Sequence, residues 1–404
     1  MSKPSVIAVH LLNDFSGSPL VFRQALLALK DEGYSVRLFT ATPSGKGFLS
    51  RLPGIVLHPI VYRWSRHKWL TLFFFLVSQV SLFVRMLRTV RRADVVYINS
   101  MLPFGAALGG WLKGATVVYH IHEVSISPAA LRQWLTWIIN LTARRCIYVS
   151  QYVRQHTGIK CEGAVIYNAL PDFFVKRSAL RQPDRMTAVD TTHALTSANA
   201  WPAFTSAPTH GFINPARPKR SEVHTFTVLM LCSLKAYKGV HEFVLCARQL
   251  PELNFYLVLN ASRAEIDLFF AGVTRPANLR LFDAQFNTHP FYGKADLVVN
   301  LSRPDQWVET FGMTVLEAMY YGRPVIVPPV GGVVELVENT ITGFHADSRD
   351  IPGLVRKIKC LSADAGLYKQ MSAAALARAA SFRQDLFDKA VVDCFQKLTE
   401  KKRI

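Results

Sequence analysis

The sequence is short of acids: 28 Asp and Glu stand against 47 Lys and Arg in 404 residues, a formal charge of +19. Charged residues make up 19% of the chain, below the usual figure of about 25%, so missing carboxylates contribute to the imbalance as much as added bases. Cysteine pairs are also missing. The six cysteines lie at 146, 161, 232, 246, 360 and 394, no two closer than fourteen positions, which excludes zinc knuckles and paired redox thiols. A disulfide scaffold does not suit a chain of this size, and the start, Met1-Ser-Lys-Pro-Ser followed by Val6-Ile-Ala-Val9, lacks the apolar run of a signal peptide. A reducing, cytoplasmic compartment is expected.

Catalytic signatures are absent as well. Neither His122-Glu123 nor His241-Glu242 has the second His of a zinc protease, and neither Gly45-Lys46 nor Gly293-Lys294 completes a Walker loop. No Gly-x-Ser-x-Gly elbow occurs, and Ser16-Gly17-Ser18-Pro19 after the first apolar run is not a dinucleotide fingerprint. Asp-x-Asp never occurs, which removes the usual carboxylate pair for a metal on a nucleotide diphosphate; no metal and no cofactor are expected.

Half of the residues are hydrophobic, so wholesale disorder is excluded, and the length suits two domains. Short β-rich runs at 6–12, 35–41, 55–61, 94–99, 115–120, 146–150 and 164–167 alternate with helical stretches such as 19–32 and 128–141. The alternation restarts with strands at 225–232, 254–259, 278–282, 297–301 and 324–327 and helices at 240–249, 311–321, 333–338 and 351–361. This pattern predicts two α/β domains, each with a parallel sheet and helices on both faces, and a ligand cleft between them. The expected boundaries are 1–175, a Pro/Ser/Thr-rich insertion at 176–223, 224–380, and a helix at 381–404 returning toward the first domain.

Between Arg51 and Arg92 there are eight Lys/Arg and no acid, around the apolar block from Leu70 to Val84. Fifteen residues give a helix of about 22 Å, short of the roughly 30 Å hydrocarbon core. Two readings stand: a helix lying on an anionic membrane face with Arg63, Arg66, Lys68, Arg85, Arg88, Arg91 and Arg92 near headgroups and Trp64 and Trp69 at the interface, or a core helix with a solvated basic end. The aromatics are clustered rather than interleaved with bases, which argues against nucleic acid.

The most informative stretch is Trp307-Val-Glu309-Thr-Phe-Gly-Met-Thr-Val-Leu-Glu317-Ala-Met, followed by Gly322-Arg-Pro-Val-Ile-Val and Gly331-Gly332. Thr310 suits an N-cap, and amides of Phe311, Gly312 and Met313 at a helix start suit an anion. A shared-proton dyad of Glu309 and Glu317 is excluded by about 12 Å of helical path; the pair suits the two ends of one elongated polar ligand, or simply a capped helix with a solvated Glu. Lys294, Arg303, His289 and His345 read as surface or loop residues.

This stretch resembles the signature of retaining, nucleotide-sugar-dependent glycosyltransferases of family 4. His120-Ile-His122-Glu123, Val165-Ile-Tyr-Asn168-Ala-Leu170 and Ser233-Leu-Lys235-Ala-Tyr-Lys238-Gly239 extend the resemblance over most of the chain. It implies the GT-B fold of two facing Rossmann-like domains with a deep interdomain cleft, and a role in bacterial polysaccharide or glycolipid assembly. By resemblance, Glu309 contacts the transferred sugar, Glu317 the ribose, Phe311, Gly312 and Met313 the sugar through their amides, Lys238 the diphosphate, and His122 the region of donor sugar and acceptor. His120 reads as a core histidine. Where the family usually places an Arg, this chain has Ser233, with Lys235 as substitute charge; Gly17 stands where the family often has paired glycines. The implied partners are a nucleotide-sugar donor, a saccharide or lipid-linked saccharide acceptor and an anionic membrane surface, with no nucleic acid. An epimerase or hydrolase on the same fold, and a non-catalytic basic binding protein, are the alternatives.

Overall fold

In a computed structural model that describes residues 3–42, 45–62, 67–179 and 224–400, the chain forms two compact α/β units. The division falls between Ala169 and Leu170, and the carboxy-terminal helix Gln384–Glu400 belongs to the first unit. The helix Asp172–Ala179 belongs to the second because Phe174 stacks on His289 there, ring centroids 4.3 Å apart. That helix also runs through 176–179, residues expected to open an insertion without periodicity; the rest of that insertion, from 180 to 223, lies outside the described residues.

Among the described residues the first unit carries strands β1 (Val6–Leu12), β2 (Val36–Ala41), β3 (Val56–Pro59), β4 (Val95–Asn99), β5 (Thr116–Ile121), β6 (Arg145–Tyr148) and β7 (Gly163–Val165). They form one parallel sheet in the order β3-β2-β1-β4-β5-β6-β7. The strands are Val/Ile-rich and the central ones fully buried, as a sheet covered on both faces requires. The strand order reverses between β1 and β4, which leaves a crevice at their carboxyl ends, where His10 lies beside Asn99. Gln384–Glu400 closes this unit by setting Phe395 against Tyr97 and Tyr34.

The second unit repeats the plan with β8 (Thr227–Ser233), β9 (Asn254–Asn260), β10 (Leu279–Phe282), β11 (Leu297–Val299), β12 (Val325–Val327) and β13 (Gly343–His345), ordered β10-β9-β8-β11-β12-β13. Its core of Val228, Phe243, Phe255, Leu257, Leu297 and Leu354 excludes water around that sheet. The reversal point here is β8 beside β11.

Four helices of the first unit matter below: α1 (Gly17–Asp31), α2 (Lys68–Thr89), α3 (Phe104–Leu112) and α4 (Ala129–Thr142). The sequence had suggested fifteen residues for α2; it has 22, about 33 Å, long and apolar enough to cross a membrane by length and composition. The stretch at 333–338 is a 3-10 turn, Gly332–Glu335, not an α-helix.

Candidate active site

The predicted site residues fall in two groups, one in each unit. In the second unit, β8 ends at Ser233 and the chain turns through Ala236–Lys238, a 3-10 turn that Gly239 terminates with a φ of +79°. A Cβ at Gly239 would lie 2.2 Å from the Leu301 carbonyl, so only glycine lets the turn close against the chain leaving β11. This approach carries Lys238 to Glu309: its Nζ donates to Glu309 Oε2 at 3.0 Å and lies 5.1 Å from the centre of the Trp307 ring. Asn300, one residue past β11, donates to the same Oε2 at 3.2 Å. The pair is largely enclosed, with 15% of the Lys238 side chain and 19% of the Glu309 side chain exposed. Burial pushes the Glu309 carboxyl up, and the Lys238 charge with the hydrogen bonds from Lys238 and Asn300 outweighs it, so its pKa lies below the ordinary value.

Glu309 is not on the helix. The helix Met313–Tyr320 has Gly312 as its N-cap, at a φ of +98°, and not Thr310, and it carries no side-chain cap. The reason is local: Gly312 turns the chain against Val333, and Gly332 N–H donates to the Glu309 carbonyl at 2.9 Å, which leaves Glu309 and Thr310 in a loop. The helix start at Gly312 and Met313 is thus offered to a ligand without a competing side chain. Glu317 lies further along this helix and accepts from the Tyr292 hydroxyl at 2.6 Å. Burial raises its carboxyl to about 7, the Tyr292 bond offsetting a little. Lys235 is exposed at the start of the 3-10 turn, and Phe311 is buried.

Several residues here escaped the sequence reading. Asn300 and Trp307 line the Lys238–Glu309 pair, and Tyr292 holds Glu317. His289 is corrected from a surface or loop residue, being buried and bonded to the Tyr321 hydroxyl at 2.6 Å, whereas Arg303 lies in a loop and pairs from there with the buried Glu242. The polar Asn immediately after an apolar strand was the available signal for Asn300, since ligands gather at strand carboxyl ends.

In the first unit, His122 Nε2 donates to Asn99 Oδ1 at 2.7 Å, and Asn99 Nδ2 donates to His10 Nδ1 at 3.0 Å and to Ser18 Oγ at 2.9 Å. Gly17 opens α1 one residue before Ser18, so this network ties the start of α1 to the β1–β4 crevice. Burial, then the neighbouring His120 and His10, drive the His122 pKa well below the ordinary value. His120 is fully buried on the Tyr97 hydroxyl, 2.8 Å away, as a core histidine. Ser100, next to Asn99, has a φ of +81°, and the Glu123 carboxylate accepts from the Met101 amide. Sequence reasoning missed Asn99.

Residues 15–172 match the family model described as Glycosyltransferase Family 4, and residues 216–378 match Glycosyl transferases group 1, together most of the chain. The chain belongs to the family 4 glycosyltransferases. Among curated relatives it is 34% identical over 94 residues to a D-inositol 3-phosphate glycosyltransferase of Salinispora arenicola, 23% of this chain and 20% of that protein. It is 29% identical over 147 residues to the N,N'-diacetylbacillosaminyl-diphospho-undecaprenol alpha-1,3-N-acetylgalactosaminyltransferase of Campylobacter jejuni, 34% of this chain and 35% of that protein. The matches span only 5% to 35% of the curated relatives' lengths. Among solved structures, Anabaena Alr3699/HepE in complex with UDP-glucose superposes with a TM-score of 0.73 at 18% identity, covering 97% of this chain and 99% of that one. WaaG, a glycosyltransferase involved in lipopolysaccharide biosynthesis, superposes at 0.67 with 13% identity, over 96% and 98%. The fold is the α/β GT-B fold that the resemblance implied.

Proposed function

We propose that this family 4 glycosyltransferase moves a sugar from a nucleotide diphosphate donor to a lipid-linked saccharide acceptor, with retention of anomeric configuration, in cell-surface polysaccharide or lipopolysaccharide assembly at the cytoplasmic membrane face. The observation that carries the donor half is the enclosed Lys238–Glu309 pair beside an uncapped helix start. Cleavage of the anomeric bond puts negative charge on the leaving diphosphate and positive charge on the sugar ring. Lys238 and the amides at Gly312 and Met313 offset the first, without a metal. As Lys238 turns to the diphosphate, Glu309 is released to accept hydroxyls of the transferred sugar, its carboxylate kept in place by Asn300. Glu317 receives the ribose hydroxyls, and Lys235 supplies charge that Ser233 does not. His122, neutral at pH 7, is assigned to the donor sugar and acceptor. The lipid-linked acceptor takes support from the names of the Campylobacter relative and of WaaG.

The test is a thermal-shift screen of uridine, guanosine and adenosine diphosphate sugars, since a true donor raises the melting temperature by mass action. The stabilising donor is then incubated with lipid-linked saccharides and the product analysed by NMR. A glycoside with the donor's anomeric configuration is expected. An epimerised or hydrolysed donor without glycoside overturns transfer, and an inverted glycoside overturns retention.

A further inference from the structure

From Gly33 to Cys161 the chain contains sixteen Lys/Arg and two acids, Asp94 and Glu123. Asp94 is buried, and Glu123 is half-buried and held by the Met101 amide, so neither presents a free carboxylate to solvent. This region also exposes large apolar side chains. On α2 they are Trp69 (83% exposed), Leu72, Phe73, Leu76 and Val80; on α4, Trp134, Trp137 (60% exposed) and Leu141 repeat at helical spacing and share a face. The helices meet through aromatic contacts, Phe75 to Phe104 of α3 at 5.9 Å and Phe104 to Trp134 at 4.5 Å, which joins the two exposed faces into one patch. Large exposed apolar patches mark interaction sites, and here the surrounding charge has one sign.

Only part of α2 is available. Its amino-terminal part, from Trp69 to Val77, has no buried residue and carries no charge, whereas Ser78, Gln79, Leu82 and Met86 further along are buried. Gln79 Oε1 accepts from the Gly105 amide at 3.0 Å, and Cβ atoms at Gly105 and Gly109 would lie 2.1 Å from the Gln79 carbonyl oxygen and 2.7 Å from the Met86 Cβ. The second half is therefore locked onto α3. Nine such residues reach about 14 Å, less than half of a hydrocarbon core, so in this arrangement a helix long enough to cross does not offer its whole length to a bilayer.

We infer that the amino-terminal half of α2 and the Trp134–Trp137–Leu141 face of α4 insert together into one leaflet of a bilayer rich in anionic lipid. Trp69 and Trp137 sit at the depth of the interface, and bases beside the patch, Arg132 in α4 and Arg144 three residues past Leu141, meet headgroups. Arg63, Trp64 and Arg66 of the membrane reading lie outside the described residues, and the side chain of Lys68 does too. Apolar insertion gives affinity that salt leaves intact, and the bases give preference for anionic vesicles. The inference stands on this surface and not on the donor site.

The experiment floats the full chain with phosphatidylcholine vesicles containing 30% phosphatidylglycerol and with phosphatidylcholine alone. Wild type is expected to float with the anionic vesicles at least tenfold more strongly, and its tryptophan fluorescence to be quenched by lipids brominated on the acyl chain. The triple variant Trp69→Ser, Phe73→Ser, Trp137→Ser is expected to lose at least tenfold in floated fraction, while Arg132→Glu with Arg144→Glu loses the anionic preference. Thermal stabilisation by nucleotide diphosphate, unchanged in these variants, keeps a failure here distinct from a failure of the donor reading. Unchanged flotation of the triple variant overturns the inference, as does absence of acyl-chain quenching in wild type, which needs no variant to fold. Resistance to extraction by alkaline carbonate would show a crossing helix. A dimer in sedimentation that the triple variant abolishes, with no vesicle binding, would show a second copy of the chain as the occupant.

Discussion

The proton on Glu317 should leave when a nucleotide binds. In the free protein this carboxyl titrates at about 7 instead of 4.5, burial being the main cause and the Tyr292 hydrogen bond a smaller opposing one. A carboxyl raised in this way holds its proton more tightly in the folded chain than in the unfolded one. Its ionisation therefore lowers folding stability as pH rises from about 4.5, and the full cost is reached above about 7. The gap corresponds to roughly 3 kcal/mol at most. Ribose hydroxyls donating to Glu317 favour the ionised form and draw the pKa back down. At pH 7, where about half of the molecules carry the proton, binding then releases on the order of half a proton. Calorimetric titration with a nucleotide diphosphate in buffers of different ionisation enthalpy measures this release directly. Glu317→Gln keeps the shape and does not titrate, so the difference between wild type and variant separates Glu317 from the phosphates. The variant should also be the more stable protein at pH 8, with the advantage gone by pH 4. Proton uptake, or equal release by wild type and variant, refutes the reasoning.

Glu309→Gln removes the carboxylate proposed to accept the sugar hydroxyls and leaves a contact to Asn300, so turnover should fall about 10²-fold or more while nucleotide diphosphate affinity changes less than tenfold. Lys238→Met should lower both, and near-wild-type turnover in both variants, measured by product formation, defeats the assignment. Gly105→Ala places a methyl 2.1 Å from the Gln79 carbonyl oxygen and must push α2 off α3. Stability should drop by roughly 1–3 kcal/mol in urea denaturation; an unchanged midpoint would mean that α2 is not fixed there.

Where structure follows from local pattern, the sequence was legible. β1 (Val6–Leu12) and the helix Val240–Gln249 match the expected bounds because continuous β-branched runs and a clean helical period admit no other element. β13 (Gly343–His345) escaped, since Gly-Phe-His lacks the β-branched run that marked the equally short β12, Val325–Val327. The length of α2 was missed because Arg85 and Arg88 look like an end, although long basic side chains continue a helix and carry their charge away from it. Thr310 lost the cap to Gly312 through a contact with Val333, twenty-one positions away. The burial of His289 and the partner of Arg303 were illegible for the same reason: Tyr321 and Glu242 are 32 and 61 residues distant.

Both units place an asparagine where the strand order reverses, Asn99 at the end of β4 and Asn300 just past β11, and each touches a residue assigned to the sugar. An amide is suited to this position because it donates and accepts without titrating. Asn300 donates to Glu309 and so favours the charged carboxylate; Asn99 accepts from His122 Nε2 and donates to His10, which fixes a neutral tautomer in a crevice where burial already opposes the proton. An aspartate at either place would reverse the effect, raising the Glu309 carboxyl by repulsion in one unit and charging His122 in the other. Neither motif signals this from the sequence, where each asparagine is a single polar residue after a strand. The parallel is visible only once the two sheets are drawn with the same reversal point.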